Sequence, residues 1–312
     1  MPFPTPAVTN ATANVFIPEI WSDEIVAAYK KNLVMANLVM KMNFKGKKGD
    51  TVHIPAPTRG DASLKVAQQA VNVIADTETE VVVTINRHFE YSRFIEDITE
   101  VQALSSMRQF YTADAGYALA RAVDTDIIRL GRSSNGGAGT NVYANAFIGG
   151  DGTTGYVAAS NNQTALTDAA IRRTIQRLDD NDTPMDQRFF VIPPSSRNTL
   201  MGLARYTEQA FIGNGDAIRT GEIGNLYGIP VFTTSNTDTA SGTAGARICL
   251  MGHRDSMVLV EQLAVRSQTQ YKQEHLSTLY TADTLYGVAG MRNAATVGAA
   301  RSSSLFALAV PA

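Results

Sequence analysis

The stretch that most limits the fold is residues 80–130, where a two-residue rhythm hands over to a helical one. From 80 to 96, Val81, Val83, Ile85, Phe89, Tyr91 and Ile95 alternate with Glu80, Thr84, Asn86, His88, Glu90 and Ser92. That pattern predicts one long strand with a buried and a wet face. Arg87 and Arg93 share the apolar parity, which puts them at a sheet edge or an interface, because unpaired charge is not buried. His88 falls on the polar side and reads as a solvated or structural histidine rather than a ligand. A capping box then opens at Thr99 with Glu100, Val101 and Gln102 behind it, and the helix is expected to stop before Gly131. Its single stripe is Val101, Leu104, Tyr111, Ala115, Leu119 and Ala122. Over 100–130 such a helix is about 46 Å long at 1.5 Å per residue, so it must be a strut lying along a sheet or a partner.

A strut needs a body around it. The chain has 312 residues, of which only 18% are charged, enough for one large domain or two ordinary ones with a substantial core. Lys and Arg number 27 against 29 Asp and Glu, a net charge of -2, so the chain as a whole has no need of a polyanion. The single cysteine, Cys249, lies in the apolar run 248–251. It excludes a disulfide framework and a cysteine zinc site, and reads as a small buried residue suited to a reducing compartment. Residues 1–14 carry no charged side chain and no secretory pattern. The apolar run 305–312 (LFALAVPA) is well short of the roughly 20 residues that span a bilayer. The expectation is a soluble protein with an apolar tail and no membrane partner.

Ahead of the strand, residues 17–31 (IPEIWSDEIVAAYKK) place Ile20, Ile25, Val26 and Tyr29 near helical spacing, with acids early and Lys30 and Lys31 late, as a helix dipole prefers. A charged turn at 45–50 (KGKKGD) and a brief strand at 51–54 follow, and then Pro55, Pro57 and Gly60 stop regular structure. Residues 45–79 therefore read as a long extended excursion. As a ribbon of two arms of about 17 residues it would reach roughly 55 Å. Behind the strut, residues 131–155 hold eight of the 24 glycines and read as a mobile loop between two bodies. The second body is expected to contain a helix over 168–178 with Ile171, Ile175 and Leu178 inside and Arg172, Arg173 and Arg177 outside. A strand over 188–192, a Pro193-Pro194 stop, a helix around 196–206 and a strand over 229–234 should follow it. Strands at 247–251, 257–260 and 264–272 come next, and the alternation of 276–288 suggests pairing with the 80–96 strand.

No constellation carries catalysis convincingly. Residues 150–155 (GDGTTG) satisfy G-x-G-x-x-G literally, but no buried strand precedes them and no helix starts within them, as a dinucleotide site requires. Gly46-Lys47 lacks the first glycine and the hydroxyl of a P-loop, and His53, His88, His253 and His275 never fall at ligand spacing. His253, Asp255 and Ser256 are sequence neighbours, whereas a triad is assembled across space. A turn is the simpler reading, and an α+β hydrolase using His253 or Asp255 is the alternative. No catalytic residue, cofactor or metal is expected. Charge is uneven instead: Lys30, Lys31, Lys41, Lys45, Lys47 and Lys48 precede Asp50, with no acid between Glu24 and Asp50. This is either a solvated loop or a contact with an acidic neighbouring surface.

Taken together, FIPEIWSDEIVAAYKKN, GDTVHIPAP and NLYGIPVFTTSN and the order of parts resemble the major capsid protein of tailed bacteriophages. That α+β fold is shared with the herpesvirus capsid floor and with encapsulins. The resemblance covers nearly the whole chain. It implies an N-terminal arm with a short helix at 1–39, an extended hairpin, the E-loop, at 40–79, a peripheral domain at 80–131 and 252–312 with its spine helix at about 100–130, and an axial domain at 132–251. It further implies a non-enzymatic subunit that forms hexamers and pentamers of an icosahedral shell around packaged phage genome, assembled in the host cytoplasm. The implied contacts between subunits fall on Lys45, Lys47, Lys48, Arg59, Arg87 and Arg93. Implied partners are other copies of itself, a separate scaffolding protein in view of the short arm, a portal, a decoration protein and, non-specifically, DNA. No Lys-Asn crosslink is expected, and the alternative within the fold is an encapsulin-like container.

Overall fold

A computed structural model describes residues 33–45, 48–56, 62–71, 73, 79–97, 107–134, 147–152, 163–203, 224–237, 246–291 and 304–311. The helix expected over 17–31, the capping box at 99–102, Lys47 and Arg59 lie outside these residues. In chain order the elements are α1 (Met35–Leu38), β1 (Met40–Asn43), β2 (Thr51–Ala56), β3 (Thr79–Thr84), β4 (Arg87–Glu96) and α2 (Met107–Ser134). They continue with β5 (Phe147–Gly149), α3 (Asp168–Asp180), β6 (Arg188–Ile192), α4 (Pro194–Met201), β7 (Asn225–Leu226) and β8 (Ile229–Thr233). The last four are β9 (Ala246–His253), β10 (Met257–Lys272), β11 (Ser277–Gly290) and β12 (Leu305–Pro311).

Three sheets result. A four-stranded sheet has the order β1-β10-β11-β4, a six-stranded sheet the order β5-β12-β9-β6-β8-β7, and β2 pairs β3 alone as a ribbon. The expected pairing of the late alternating segment with the early strand is present: β11 runs antiparallel to β4 from Ser277↔Glu96 to Tyr286↔Arg87. The single strand expected over 80–96 is two, because the chain changes partner at Ile85. β3 belongs to the ribbon, the Ile85 amide donates to the Asp50 carbonyl at 2.7 Å, and β4 then joins the large sheet. Conversely, the two strands expected at 257–260 and 264–272 are one, β10, whose register shifts between Glu261 and Arg266 let it bend without ending.

The strut is present as α2, 28 residues or about 42 Å long. Its first half sets Ala115 and Leu119 against Tyr280 and Ala282 of β11, with Phe89 and Tyr91 alongside. Its second half buries Ile127 and Ile128 in a core shared by both large sheets, among them Phe189, Leu250, Leu259, Tyr286 and Leu305. The helix does not stop before Gly131. A Cβ there would lie 3.0 Å from Leu250 Cδ1, so this glycine permits close approach of helix and sheet at a helix-propensity cost of about 1 kcal/mol.

The segment read as an apolar tail is a central strand. In β12, Leu305, Ala307 and Ala309 face the α2 core, while Phe306, Leu308 and Val310 face a second core with Ile171 and Leu178 of α3 and Leu200 of α4. Burial on both faces is why this run lacks alternation. β12 thereby ties residues beyond 252 into the sheet of the second body, between β5 and β9. The region expected as one mobile loop, 131–155, is packed at both described ends. A Cβ on Gly150 would meet the Thr164 carbonyl oxygen at 1.9 Å, and one on Gly152 the Ala170 Cα at 2.5 Å. α3 matches expectation, with Thr167 accepting the Ala170 amide as N-cap. Pro194 opens α4 at its first turn instead of blocking it, since its missing N–H is not needed there. α4 ends at Met201 with Gly202 behind it, short of the expected 206.

Candidate assembly surfaces

The ribbon forms because Val81 and Val83 turn inward while β2 supplies Val52 and Ile54 opposite them. Glu80 Oε2 lies 3.0 Å from His53 Nδ1 across the pair. Among the described residues beyond the paired segment, a turn closes from the Gln69 amide to the Val66 carbonyl at 3.3 Å, and Leu64 is 95% and Val73 83% exposed, with Val66 and Val71 more than half exposed. Apolar side chains so placed have no core of their own to enter, and a run of them marks a surface made for a partner.

The charged candidates separate into two groups. Lys45 and Lys48 are exposed at the foot of the ribbon, where Lys45 Nζ approaches Glu261 Oε2 at 3.9 Å and Lys41 Nζ donates to Asn37 Oδ1 at 3.0 Å. Arg87 and Arg93 stand on β4, the outer strand of its sheet. Both have partners within the chain: Arg87 approaches Asp126 at 3.8 Å, and the Arg93 guanidinium sits 4.3 Å from the Tyr111 ring centroid. β4 is one of the two outer strands of that sheet, β1 being the other, and an outer strand leaves backbone groups open to a further strand.

Sequence reasoning passed over the buried carboxylates that fasten the body. Asp124, fully buried, accepts the Met35 amide at 2.8 Å with Oδ1 and the Asn236 side-chain amide at 2.9 Å with Oδ2. It thus caps α1 from another helix and clasps the loop behind β8. Two residues on, Asp126 accepts the Tyr286 hydroxyl at 2.9 Å, and burial, then this hydrogen bond, push the Tyr286 phenol well up from its ordinary value. The signal available was the run Val123-Asp124-Thr125-Asp126-Ile127-Ile128, two acids on either side of a threonine with apolar residues flanking all three. A third carboxylate, Asp283, accepts two hydrogen bonds from Arg266 at 2.7 and 3.0 Å and lies 3.2 Å from His88 Nε2. Arg266 holds its carboxyl below the usual range, with partial burial opposing and His88 adding to the pull.

The sequence constellations resolve into turns and cores. His253 is buried, and its Nδ1 accepts the Asp255 amide at 3.1 Å, capping a short 3-10 turn that joins β9 to β10. Cys249 is fully buried beside the Ser196 hydroxyl, and burial pushes its thiol up to about 12. A hollow of about 80 Å³ between Ile95, Tyr111 and Tyr280 is far below the roughly 300 Å³ of a small-molecule site. Among the described residues no group of three or more His, Cys, Asp or Glu side chains is placed to hold a metal ion, and no helix is long and apolar enough to cross a membrane.

A ribbon thrown out from a sheet, a strut helix and a second sheet make up the architecture of tailed-phage capsid subunits, and solved structures agree. A Mycobacterium phage Che8 structure superposes with a TM-score of 0.71 at 22% identity, covering 94% of this chain and 97% of that one. The capsid of cyanophage P-SCSP1u gives 0.74 at 17% identity, with 96% and 94% covered, and the mature capsid of bacteriophage PhiM1 gives 0.68 at 15%, with 94% and 92% covered. At these identities the likeness shows the fold. No curated protein matches the sequence. The family model described as phage capsid protein matches residues 34–301, and the chain belongs to that family. Its role is that of a structural shell subunit.

Proposed function

We propose that the chain closes into hexamers and pentamers of an icosahedral shell around packaged phage genome, gripping its neighbours chiefly through the ribbon. The observation that carries this is the exposed run Leu64, Val66, Val71 and Val73 on an arm that leaves the body. Lys45 and Lys48, exposed at the foot of the ribbon, and Lys47 and Arg59, close to β2 in sequence, suit acidic neighbours, and Arg87 and Arg93 stand on the outer strand β4. Residues 1–39 serve as arm, 40–79 as extended loop, 80–131 with 252–312 as peripheral domain and 132–251 as axial domain, although β1 and β12 are strands of the two large sheets. A separate scaffolding protein, a portal and a decoration protein complete the assembly in the host cytoplasm, and DNA contacts are non-specific.

The test is electron microscopy with size-exclusion chromatography, on the purified protein alone and with the scaffolding protein. Closed shells or tubes are expected, and Leu64→Asp with Val66→Asp should stop them while leaving the subunit folded. A wild-type chain that stays monomeric under every assembly condition would overturn the proposal.

A further inference from the structure

Proteins guard the outer strands of their sheets with lysine, proline, bulges or shortness, because an unguarded strand is a template for another. Among the described residues the two outer strands of the four-stranded sheet differ in this respect. β1 has four residues, Lys41 among them. β4 has ten, RHFEYSRFIE, with neither lysine nor proline. Its register with β11 runs unbroken from Arg87 to Glu96, whereas β10, on the other side of β11, is bulged. An outer strand so long and regular is built to be paired.

Its side chains select the partner. When two copies of one strand pair antiparallel about a twofold axis normal to the sheet, facing residues lie on the same side of it, so the axis must pass between a residue and its own copy. Centred on Glu90, that residue would meet itself and Arg87 would meet Arg93; centred on Arg93, that residue would meet itself and Glu90 would meet Glu96. Like charges directly opposite are destabilising. Centred on Tyr91, no acid faces a base and Arg87 faces Ile95. Centred on Ser92, Arg87 faces Asp97, His88 faces Glu96, Phe89 faces Ile95 and Arg93 faces the Tyr91 ring, with Glu90 beside Phe94. That register alone sets bases against acids, brings no like charges face to face and uses nearly the whole strand.

The strand is also presented suitably. Tyr91 donates to Asp114 and the Arg93 guanidinium lies 4.3 Å from the Tyr111 ring centroid, so odd-numbered residues face α2. By alternation His88, Glu90, Ser92, Phe94 and Glu96 take the opposite face, where all five are exposed. We propose that β4 pairs with β4 of a second copy of this chain, antiparallel and centred on Ser92, fusing two four-stranded sheets into one across a twofold axis. The pairing deepens the shell reading, on which it rests only for where in an assembly the contact falls.

Cysteine crosslinking of the full chain under assembly conditions tests this, with electron microscopy of the same samples. Ser92→Cys should give covalent dimers. Glu90→Cys and Phe94→Cys should each give at least tenfold fewer alone, yet link to each other when the two variants are mixed before assembly. Linking by oxidation and by a short bismaleimide removes the dependence on disulfide geometry, and thermal melts confirm that each exposed substitution leaves the fold intact. Cys249 is buried and should not contribute. Closed particles without a Ser92→Cys link would overturn the pairing and leave the shell reading standing. Ser92→Cys dimers without particles would support the pairing and count against the shell. Glu90→Cys or Phe94→Cys linking alone as readily as Ser92→Cys would overturn the register and reduce the contact to collision.

Discussion

Removing the Asp124 carboxylate should loosen the body more than any exposed substitution. It makes two buried hydrogen bonds, 2.8 Å to Met35 N and 2.9 Å to Asn236 Nδ2, and bonds to a charged group contribute about 1.5–3 kcal/mol each. Asp124→Ala strands both donors in the core, so a loss of about 3–5 kcal/mol is expected. With a urea slope of about 3 kcal/mol/M, the unfolding midpoint of dissociated subunits should fall by about 1–1.7 M. Asp124→Asn keeps an acceptor for Met35 but turns an amide toward the Asn236 amide, at a cost of about 1–3 kcal/mol. Combining it with Asn236→Asp reverses the polarity of that bond. The amide introduced at position 124 can donate, while the carboxylate introduced at position 236 can still accept from the Thr125 hydroxyl, which already contacts that side chain. The double variant should therefore lie closer to wild type than Asp124→Asn alone. An Asp124→Ala midpoint within about 0.2 M of wild type, given the slope above, or a double variant no better than the weaker single, would refute the clasp.

Glycine substitutions should split by surroundings. Gly150→Ala must displace the Thr164 backbone carbonyl and should cost about 1–3 kcal/mol or more, whereas Gly116→Ala in α2 meets nothing within 4 Å and should gain about 0.5–1 kcal/mol; thermal melts of the two compare them directly. Because Arg266 depresses the Asp283 pKa in the folded state, the pair's contribution is complete above the unfolded value of about 3.9 and is lost as pH falls through the lower folded one. Asp283→Asn should thus weaken the protein near neutrality and converge with wild type in acid, as pH-dependent urea midpoints would read out. Cys249, with its thiol held at about 12 in a sealed site, should resist maleimide at mildly alkaline pH until denaturant opens the sheet; rapid labelling of the folded protein would contradict its burial.

Local rhythm was legible wherever one face is dry. The alternation of 80–96 and the 3.6-residue spacing of α3 mark strand and helix, because a single boundary between core and water writes a period into the sequence; the run Arg188–Ile192, buried on both faces, was legible instead from its apolar residues and the proline stop behind it. Partner exchange was not legible. Nothing local to Ile85 says that the chain leaves β2 there for β11, since the cause is the Asp50 carbonyl and a sheet closed some 190 residues later. The two-sided burial of β12 erased the period that would have distinguished a strand from a tail. Of the candidate contact residues, the sequence located Arg87 and Arg93 on an outer strand through parity alone. The acids of α2 were passed over because a stripe drawn from apolar residues omits a carboxylate whose partners come from Met35 and Asn236.

The position of β12 also bears on how the subunit is made. It lies between β5 and β9, so every other strand of that sheet is synthesised before the one that joins them. Until residues 305–311 arrive, β9 presents an unpaired apolar edge and the α2 and α3 cores both stand open on that side. Pairings this distant in sequence form slowly, and a cell making many copies at once would hold a crowd of half-closed chains with matching sticky edges. Yield should therefore depend on synthesis rate and on chaperone supply more steeply than the stability of the finished subunit would suggest.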